Sequence, residues 1–339
     1  MSRRSFLTLA LANLTFCGIA AQAAPRIVFD TDFAGDVDDL GALAMLHNVM
    51  RDGEFEPLAV MNWNTERYAR PASTVDQNPA CASGQRIGRF DPATDLFMAQ
   101  FDIKTDVDDL HSVAAVGSML ASPEFECVRY VGVAGAYGTQ GGDFIPAPAL
   151  FDLAFGNNWL DAHGSREASV GRAGALIAET LAGGGQVWIM EGGQSDFSAA
   201  ALAVALEITN TETTRARVHV IQHSDWNEEV TSPEALAFVR ANADYRKIPD
   251  GNATGNGTPG YRTNEAGLWH RIPVEGHAAT MWKTARDLAN AQNGVGYENT
   301  AIRAGGFDFS DTVEAAYVFG LEELDDAAAF LAHFLGPRQ

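Results

Sequence analysis

Asp30-Thr31-Asp32-Phe33-Ala34-Gly35-Asp36-Val37-Asp38-Asp39 packs five carboxylates into ten residues. The apolar run Ile27-Val28-Phe29 precedes it, and an apolar, helix-like run from Leu40 to Met50 follows. A strand that empties into an acid-rich turn ahead of a helix is costly. Carboxylates this close repel, and they raise one another's pKa unless a positive charge sits among them. A hard divalent cation, which takes about six to eight oxygen ligands, is the natural counter-charge.

The stretch has an echo. Asp102-Ile103-Lys104-Thr105-Asp106-Val107-Asp108-Asp109-Leu110 repeats it seventy residues on. Asp32, Asp36, Val37, Asp38, Asp39, Leu40, Ala44, Glu54, Phe55 and Glu56 match Asp102, Asp106, Val107, Asp108, Asp109, Leu110, Ala114, Glu124, Phe125 and Glu126 without a gap. The acids align over a strand–loop–helix–strand unit, which predicts a duplicated βαβ unit with a right-handed crossover in each copy. The repeat is too short for a solenoid.

Outward from the two copies, strands and helices alternate. Residues 26–32 read as a strand, 36–50 as a helix and 57–63 as a strand. Residues 64–95 are polar and rich in turn formers, and read as loop. The second copy supplies a strand over 96–101, a helix over 106–120 and a strand over 128–134. Beyond a loop over 135–148 come a helix over 170–182, closed by Gly183-Gly184-Gly185, a strand over 186–190 and a helix over 197–208. A strand over 217–222 and a helix over 233–243 follow, then a Gly/Asn-rich loop over 250–261, a helix over 278–291, an apolar stretch over 315–321 and a closing helix from 325. This alternation predicts an α/β fold, a mostly parallel sheet with helices on both faces and a duplicated N-terminal βαβ unit. The expected organisation is a signal peptide over 1–23, the first βαβ unit over 24–75, a linker over 76–95 and the main domain over 96–335. In such sheets ligands bind outside the carboxyl ends of the strands. The polar clusters after 32 or 102, 135, 190, 222 and 307 all fall at predicted strand ends, so they are expected to converge on one pocket.

The leader Ser2-Arg3-Arg4-Ser5-Phe6-Leu7, an apolar segment from Leu9 to Ala21 and Ala21-Gln22-Ala23 read as an export signal with a small-x-small cleavage site. The paired arginines suit the twin-arginine route, which predicts a periplasmic or secreted protein. No later run is long and apolar enough to span a membrane, so no membrane attachment is expected after export. Of the three cysteines, Cys81 and Cys127 remain in the mature chain. They can form one disulfide in an oxidising compartment or stay as free thiols. A formal charge of −21 repels nucleic-acid backbones, so polymeric DNA or RNA is a poor partner and no nucleic acid is expected. A homo-oligomer is compatible with the sequence.

The paired aspartate motif resembles the signature of the nucleoside hydrolases, the inosine/uridine-preferring N-ribohydrolases. In that family a first strand runs into Asp-x-Asp, a short turn, then Asp-Asp and an apolar helix. Asp30 to Asp39 matches a longer form of the signature. The second copy keeps Asp102, Asp106, Asp108 and Asp109 but has Gln100 where the first has Asp30. Val187 to Asp196 is similar to the family's central strand, where the residue before the first glycine, here Glu191, offers a carbonyl to calcium. The Gly-Gly-Gln-Ser-Asp that follows departs from the family's Gly-Pro-Leu-Thr-Asn. Ser310-Asp311-Thr312 is similar to the late metal-site aspartate, and Asn227-Glu228 to a sugar-binding segment.

The resemblance implies a Ca2+ site of Asp102, Asp106, Asp108, Asp109, Glu191 and Asp311, with Asp30, Asp32, Asp38 and Asp39 as the alternative set. It also implies a nucleoside or related ribosyl substrate held by Gln194, Ser195, Asp196, His223, Asn227 and Glu228. Asp102, or alternatively Asp32, is then the general base that activates water. His163, His223, Trp226 and Tyr137 are candidates to assist the leaving base. The second copy is favoured, because it joins the downstream elements at ordinary spacing, whereas the first would need a long structureless insertion. Two other functions remain open. One is a non-catalytic calcium- or glycan-binding module. The other is a phosphatase with an aspartate nucleophile, for which Ala34 is an unfavourable residue.

Overall fold

The computed structural model describes residues 26–31, 56–62, 85–104 and 106–336. Strand β1 (Arg26–Thr31) lies parallel to β2 (Glu56–Asn62), with Phe29 opposite Val60. A parallel pair needs a crossover connection. The helix expected over 36–50 that would supply it falls outside the described residues, as do Asp32, Asp38 and Asp39.

The main sheet has six strands, all parallel: β3 (Leu96–Phe101), β4 (Tyr130–Ala134), β5 (Trp159–Asp161), β6 (Val187–Gly192), β7 (Val218–His223) and β8 (Asp244–Ile248). Their spatial order is β5-β4-β3-β6-β7-β8. The chain runs outward from β3 to one edge, then returns to β6 and runs to the other. The order therefore reverses between β3 and β6, and a crevice opens there at the carboxyl ends of both strands.

Side chains alternate across this sheet, as the two-residue period of a strand demands. Leu96, Met98, Val187, Ile189, Val218 and Val220 pack into one core with Ala173, Ile177, Leu202 and Ala205. These last come from two helices, α3 (Arg166–Ala182) and α4 (Ser195–Leu206). Phe97, Ala99, Phe101, Trp188 and Met190 face the other core. That side is covered by α1 (Asp108–Leu120), α2 (Pro148–Phe155), α8 (His277–Gln292), α10 (Thr312–Phe319) and α11 (Ala327–Leu335). Both faces of the central strands are buried, which is why β3 and β6 read as continuous apolar runs. Phe319 anchors the second core edge-on against Phe97 at 4.9 Å and Phe125 at 5.1 Å.

Several elements lie where none is expected from the sequence: α2, β5 and β8. Short α5 (Thr211–Arg217), α6 (Asp225–Glu229) and α9 (Thr300–Arg303) were also not legible, and α7 (Pro233–Asn242) ends one residue early. Residues 85–95, expected as the end of a linker, pack on the main domain. Phe90 is fully buried there, and the Asp95 carboxylate accepts hydrogen bonds from Gln186 N and Trp188 Nε1. Cys127, just past the short turn Pro123–Phe125, is disulfide-bonded. Cys81 lies outside the described residues.

Candidate functional site

Asp102 follows β3 directly, at the point where the strand order reverses. The chain then turns sharply. Ile103 adopts a φ of +52°, a conformation that a β-branched residue rarely takes. The turn folds backbone donors onto the acids. Ile103 N donates to Asp109 Oδ2 at 2.5 Å, Lys104 N to Asp102 Oδ1 at 2.8 Å and Val107 N to Asp106 Oδ1 at 2.6 Å. Asp108 and Asp109 then open α1, where the helix dipole favours negative charge. Among the described residues Ser224 is the other non-glycine with positive φ, at +73°. It follows His223 as Ile103 follows Asp102. Backbone strain of this kind costs about 1–3 kcal/mol per residue and gathers at functional sites. Here each strained residue directly follows a side chain that lines the same cavity.

That cavity, of about 310 Å³, is lined by Asp102, Lys104, Asp106, Asp108 and Asp109 from the second acid motif. Gly192, His223, Trp226 and Asn227 enter from the ends of β6 and β7, and Ser310 and Asp311 from the turn before α10. Asn252, Arg262 and Tyr297 complete it. Two glycines allow the elements to close. A Cβ on Gly192 would lie 2.8 Å from Gln100 O and 3.0 Å from Asp311 Cβ. One on Gly193 would lie 2.5 Å from Ala136 O and 3.0 Å from Asp102 Cβ.

The acids are crowded and mostly dry. Burial lifts the Asp102 and Asp106 carboxyls above the usual range. Burial and the neighbouring aspartates push Asp108 and Asp109 well above it. Asp311 rises to about 7, chiefly through burial, although His223 draws it back. Behind them Asp308 is held at about 6 by burial, against hydrogen bonds from Asn299 and the charge of Arg262. Asp109 Oδ1 is buried without a hydrogen-bond partner. Such a set fits a cation: at neutral pH like-charged carboxylates in a low-dielectric pocket must be protonated or neutralised by a bound positive charge. Even so, among the described residues no three His, Cys, Asp or Glu side chains are already arranged as a metal cage.

His223 is buried and faces two carboxylates. Its Nδ1 lies 2.7 Å from Glu314 Oε1, and its Nε2 lies 3.8 Å from Asp311 Oδ1. Burial alone would lower its pKa, but Glu314 and then Asp311 overcome that and lift it to about 9. The two carboxylates thus favour the protonated ring.

The other residues singled out from sequence go elsewhere. Gln194 is buried beneath the cavity and donates to Asp102 Oδ2 at 3.0 Å and to Asn227 Oδ1 at 3.2 Å. Asp196 accepts from Ser232, and Glu228 is paired with Arg240 and Lys247. Neither lines the cavity. Tyr137 Oη lies 3.1 Å from His163 Nδ1, and the His163 ring stacks on Phe144, so both are also outside the lining. Side chains of Asp30, Asp32, Asp38 and Asp39 are beyond what is described. Lys104 was missed because the reading of the second acid motif followed its carboxylates, and Asn252, Arg262 and Tyr297 because nothing local marks them and they come from segments far along the chain. Glu314 was legible in principle: it lies three residues after Asp311 on α10, one helical turn away.

Glu191 needs separate treatment. Its carboxyl points away from the cavity into the core under α4. There Ser195 Oγ donates to its Oε2 at 2.7 Å while Oε1 has no partner. Burial lifts its pKa from 4.5 to about 8. The folded chain keeps this proton over a range in which the unfolded chain loses it. The stability linked to Glu191 is thus full below about pH 4.5 and is lost as pH rises to about 8. Glu191→Gln removes that titration. Its melting temperature, followed by scanning calorimetry, is expected to exceed that of the wild type at about pH 9 and to approach it at about pH 5. A wild-type-like decline in the variant would contradict the assignment.

No family model, curated protein or solved structure matches the chain.

Proposed function

We propose that the chain is a calcium-dependent hydrolase of the N-glycosidic bond in nucleosides or a related ribosyl compound. The observation that carries this reading is the convergence of Asp102, Asp106, Asp108, Asp109 and Asp311 on one cavity at the sheet's switch point. Asp102, Asp109 and Asp311 would hold the ion, with Asp106 and Asp108 beside them. When bound, a calcium ion offsets the acids' charge and lowers the pKa of water. Asp102, whose two oxygens are fixed by hydrogen bonds, is placed to take a proton as general base. Asn227 presents an amide to sugar hydroxyls. Trp226 and Tyr297, exposed by 43% and 49%, offer flat faces to a base. Of the four candidates for the leaving-group side, His223 both lines the cavity and carries a proton to give. Cleavage would pass through an oxocarbenium-like state, as in other glycosyl transfers to water.

A nucleoside panel tests this. Free ribose is expected from inosine or uridine with calcium present, and none after treatment with EGTA. One observation favours a second reading, a non-catalytic calcium- or glycan-binding module: the acids do not stand as a finished cage. Calcium binding with no turnover of any glycoside would select that reading.

We also place the mature chain in the periplasm or outside the cell. The twin-arginine leader and the disulfide-bonded Cys127 support this, since disulfides persist in oxidising compartments.

A further inference from the structure

Asp102 is held by more than the turn around it. Its Oδ2 accepts from Gln194 Nε2 at 3.0 Å and from Gln140 Nε2 at 3.0 Å. The two amides also meet each other, Gln140 Nε2 donating to Gln194 Oε1. Both acceptor oxygens converge on one backbone donor: Gly138 N lies 2.9 Å from Gln140 Oε1 and 3.1 Å from Gln194 Oε1. Gln140, Gln194 and Gly138 come from the loop after β4 and the end of β6, not from the acid motif. Gln140 is 5% exposed and Gln194 fully buried, and neither lines the cavity. Gly138 cannot carry a side chain here, because a Cβ would lie 2.5 Å from Asp196 Oδ2 and 2.6 Å from Val230 O.

We infer that Gln140 and Gln194 are positioning residues that act through Asp102. Their paired amides, oriented by Gly138 N, fix the Asp102 carboxylate in one rotamer with its remaining lone-pair site set in direction. A carboxylate offers about four lone-pair sites. The two amides and Lys104 N occupy three of them, so the direction of the remaining one is set. This inference rests on the metal-site reading above only for its consequence, not for the contact itself.

Gln140→Met keeps approximate volume and removes the donor. It sits on a loop, so it is less exposed to folding failure than Gln194→Met, which is the second variant. Two measurements decide. The first is thermal melting in EGTA of wild type, Gln140→Met, Asp102→Ala and the double variant. Gln140→Met is expected to lower the melting temperature by about 2–6 °C in the wild-type background, and by much less once Asp102 is Ala and the acceptor is gone. An equal drop in both backgrounds would mean that Gln140 is merely structural, and would overturn the inference. The second is calorimetric titration of the apo chains with calcium chloride. Each Gln→Met variant is expected to bind calcium about 10- to 100-fold more weakly, the usual effect of removing a partner behind a metal ligand. Wild-type affinity in both variants would also overturn the inference. If the wild type itself binds no calcium, the metal reading fails and the melting cycle alone decides whether the amides act on Asp102.

Discussion

Asp102→Ala is expected to lower kcat/KM for the best nucleoside substrate by about 1,000-fold or more, and Asp32→Ala to leave it within about twofold. A positioned general base contributes about 10²- to 10⁴-fold, and in the proposed site Asp102 also helps to hold the calcium ion. The loss should not come from unfolding. Asp102 is a buried carboxylate among Asp106, Asp109 and Asp311, and burial already drives its pKa up, so the crowding relieved by its removal offsets the hydrogen bonds lost from Gln140, Gln194 and Lys104 N. The melting temperature of Asp102→Ala without calcium is expected to stay within about 4 °C of wild type. The contrast between the two substitutions is the informative part. Both residues occupy the same place in their copies of the repeat, and among the described residues it is Asp102 that shares a cavity with Asp311. Equal losses in both variants would mean that the first acid motif contributes to the same site.

Gly193→Ala is expected to lower activity by about 100-fold with a measurable drop in melting temperature. The new methyl group would meet Ala136 O at 2.5 Å and the Asp102 Cβ at 3.0 Å. The first contact is backbone, which cannot rotate away, so the loop after β4 must move relative to the end of β6. Displacements of about 1 Å at a reacting group can cost about 100-fold in rate. Gly171→Ala provides the control. Gly171 lies within α3 with nothing inside 4 Å of its Cβ position. Replacing it should stabilise the chain by about 0.5–1 kcal/mol through helix propensity and leave activity unchanged. Kinetics and melting curves of the two alanine variants, measured side by side, separate a packing effect from a site effect.

The repeated acid motif made the fold legible. Once Asp102 to Asp109 was read as a strand–turn–helix junction, the strands over 96–101, 130–134, 187–192 and 218–223 followed from apolar runs between turn formers. The boundaries shifted by only one or two residues. The edge strands were harder. Trp159–Asp161 is three residues long, and Asp244–Ile248 carries Asp, Arg and Lys because one side of it faces solvent. Neither has the apolar period that marks a buried strand. The site was legible where a residue sits at a strand end, as with Asp102, His223 and Asp311. It was not legible where a side chain reaches back from a loop. Gln140 lies in a glycine-rich segment with no local pattern, and only the packing of β4 against β3 brings it to Asp102. Gln194 was read as facing the substrate because the resemblance of Val187 to Asp196 to the family's central strand implied it. Its side chain instead turns under the cavity to Asp102, where the close approach at Gly193 leaves it fully buried.

The most direct measurement is the position of calcium in crystals grown with calcium chloride, located by anomalous scattering. One ion is expected with oxygen atoms of Asp102, Asp109 and Asp311 about 2.3–2.6 Å away, the distance range of calcium ligands. An ion bound instead by Asp32, Asp38 and Asp39, with the Asp102 cavity empty, would contradict the assignment of the second motif as the metal centre.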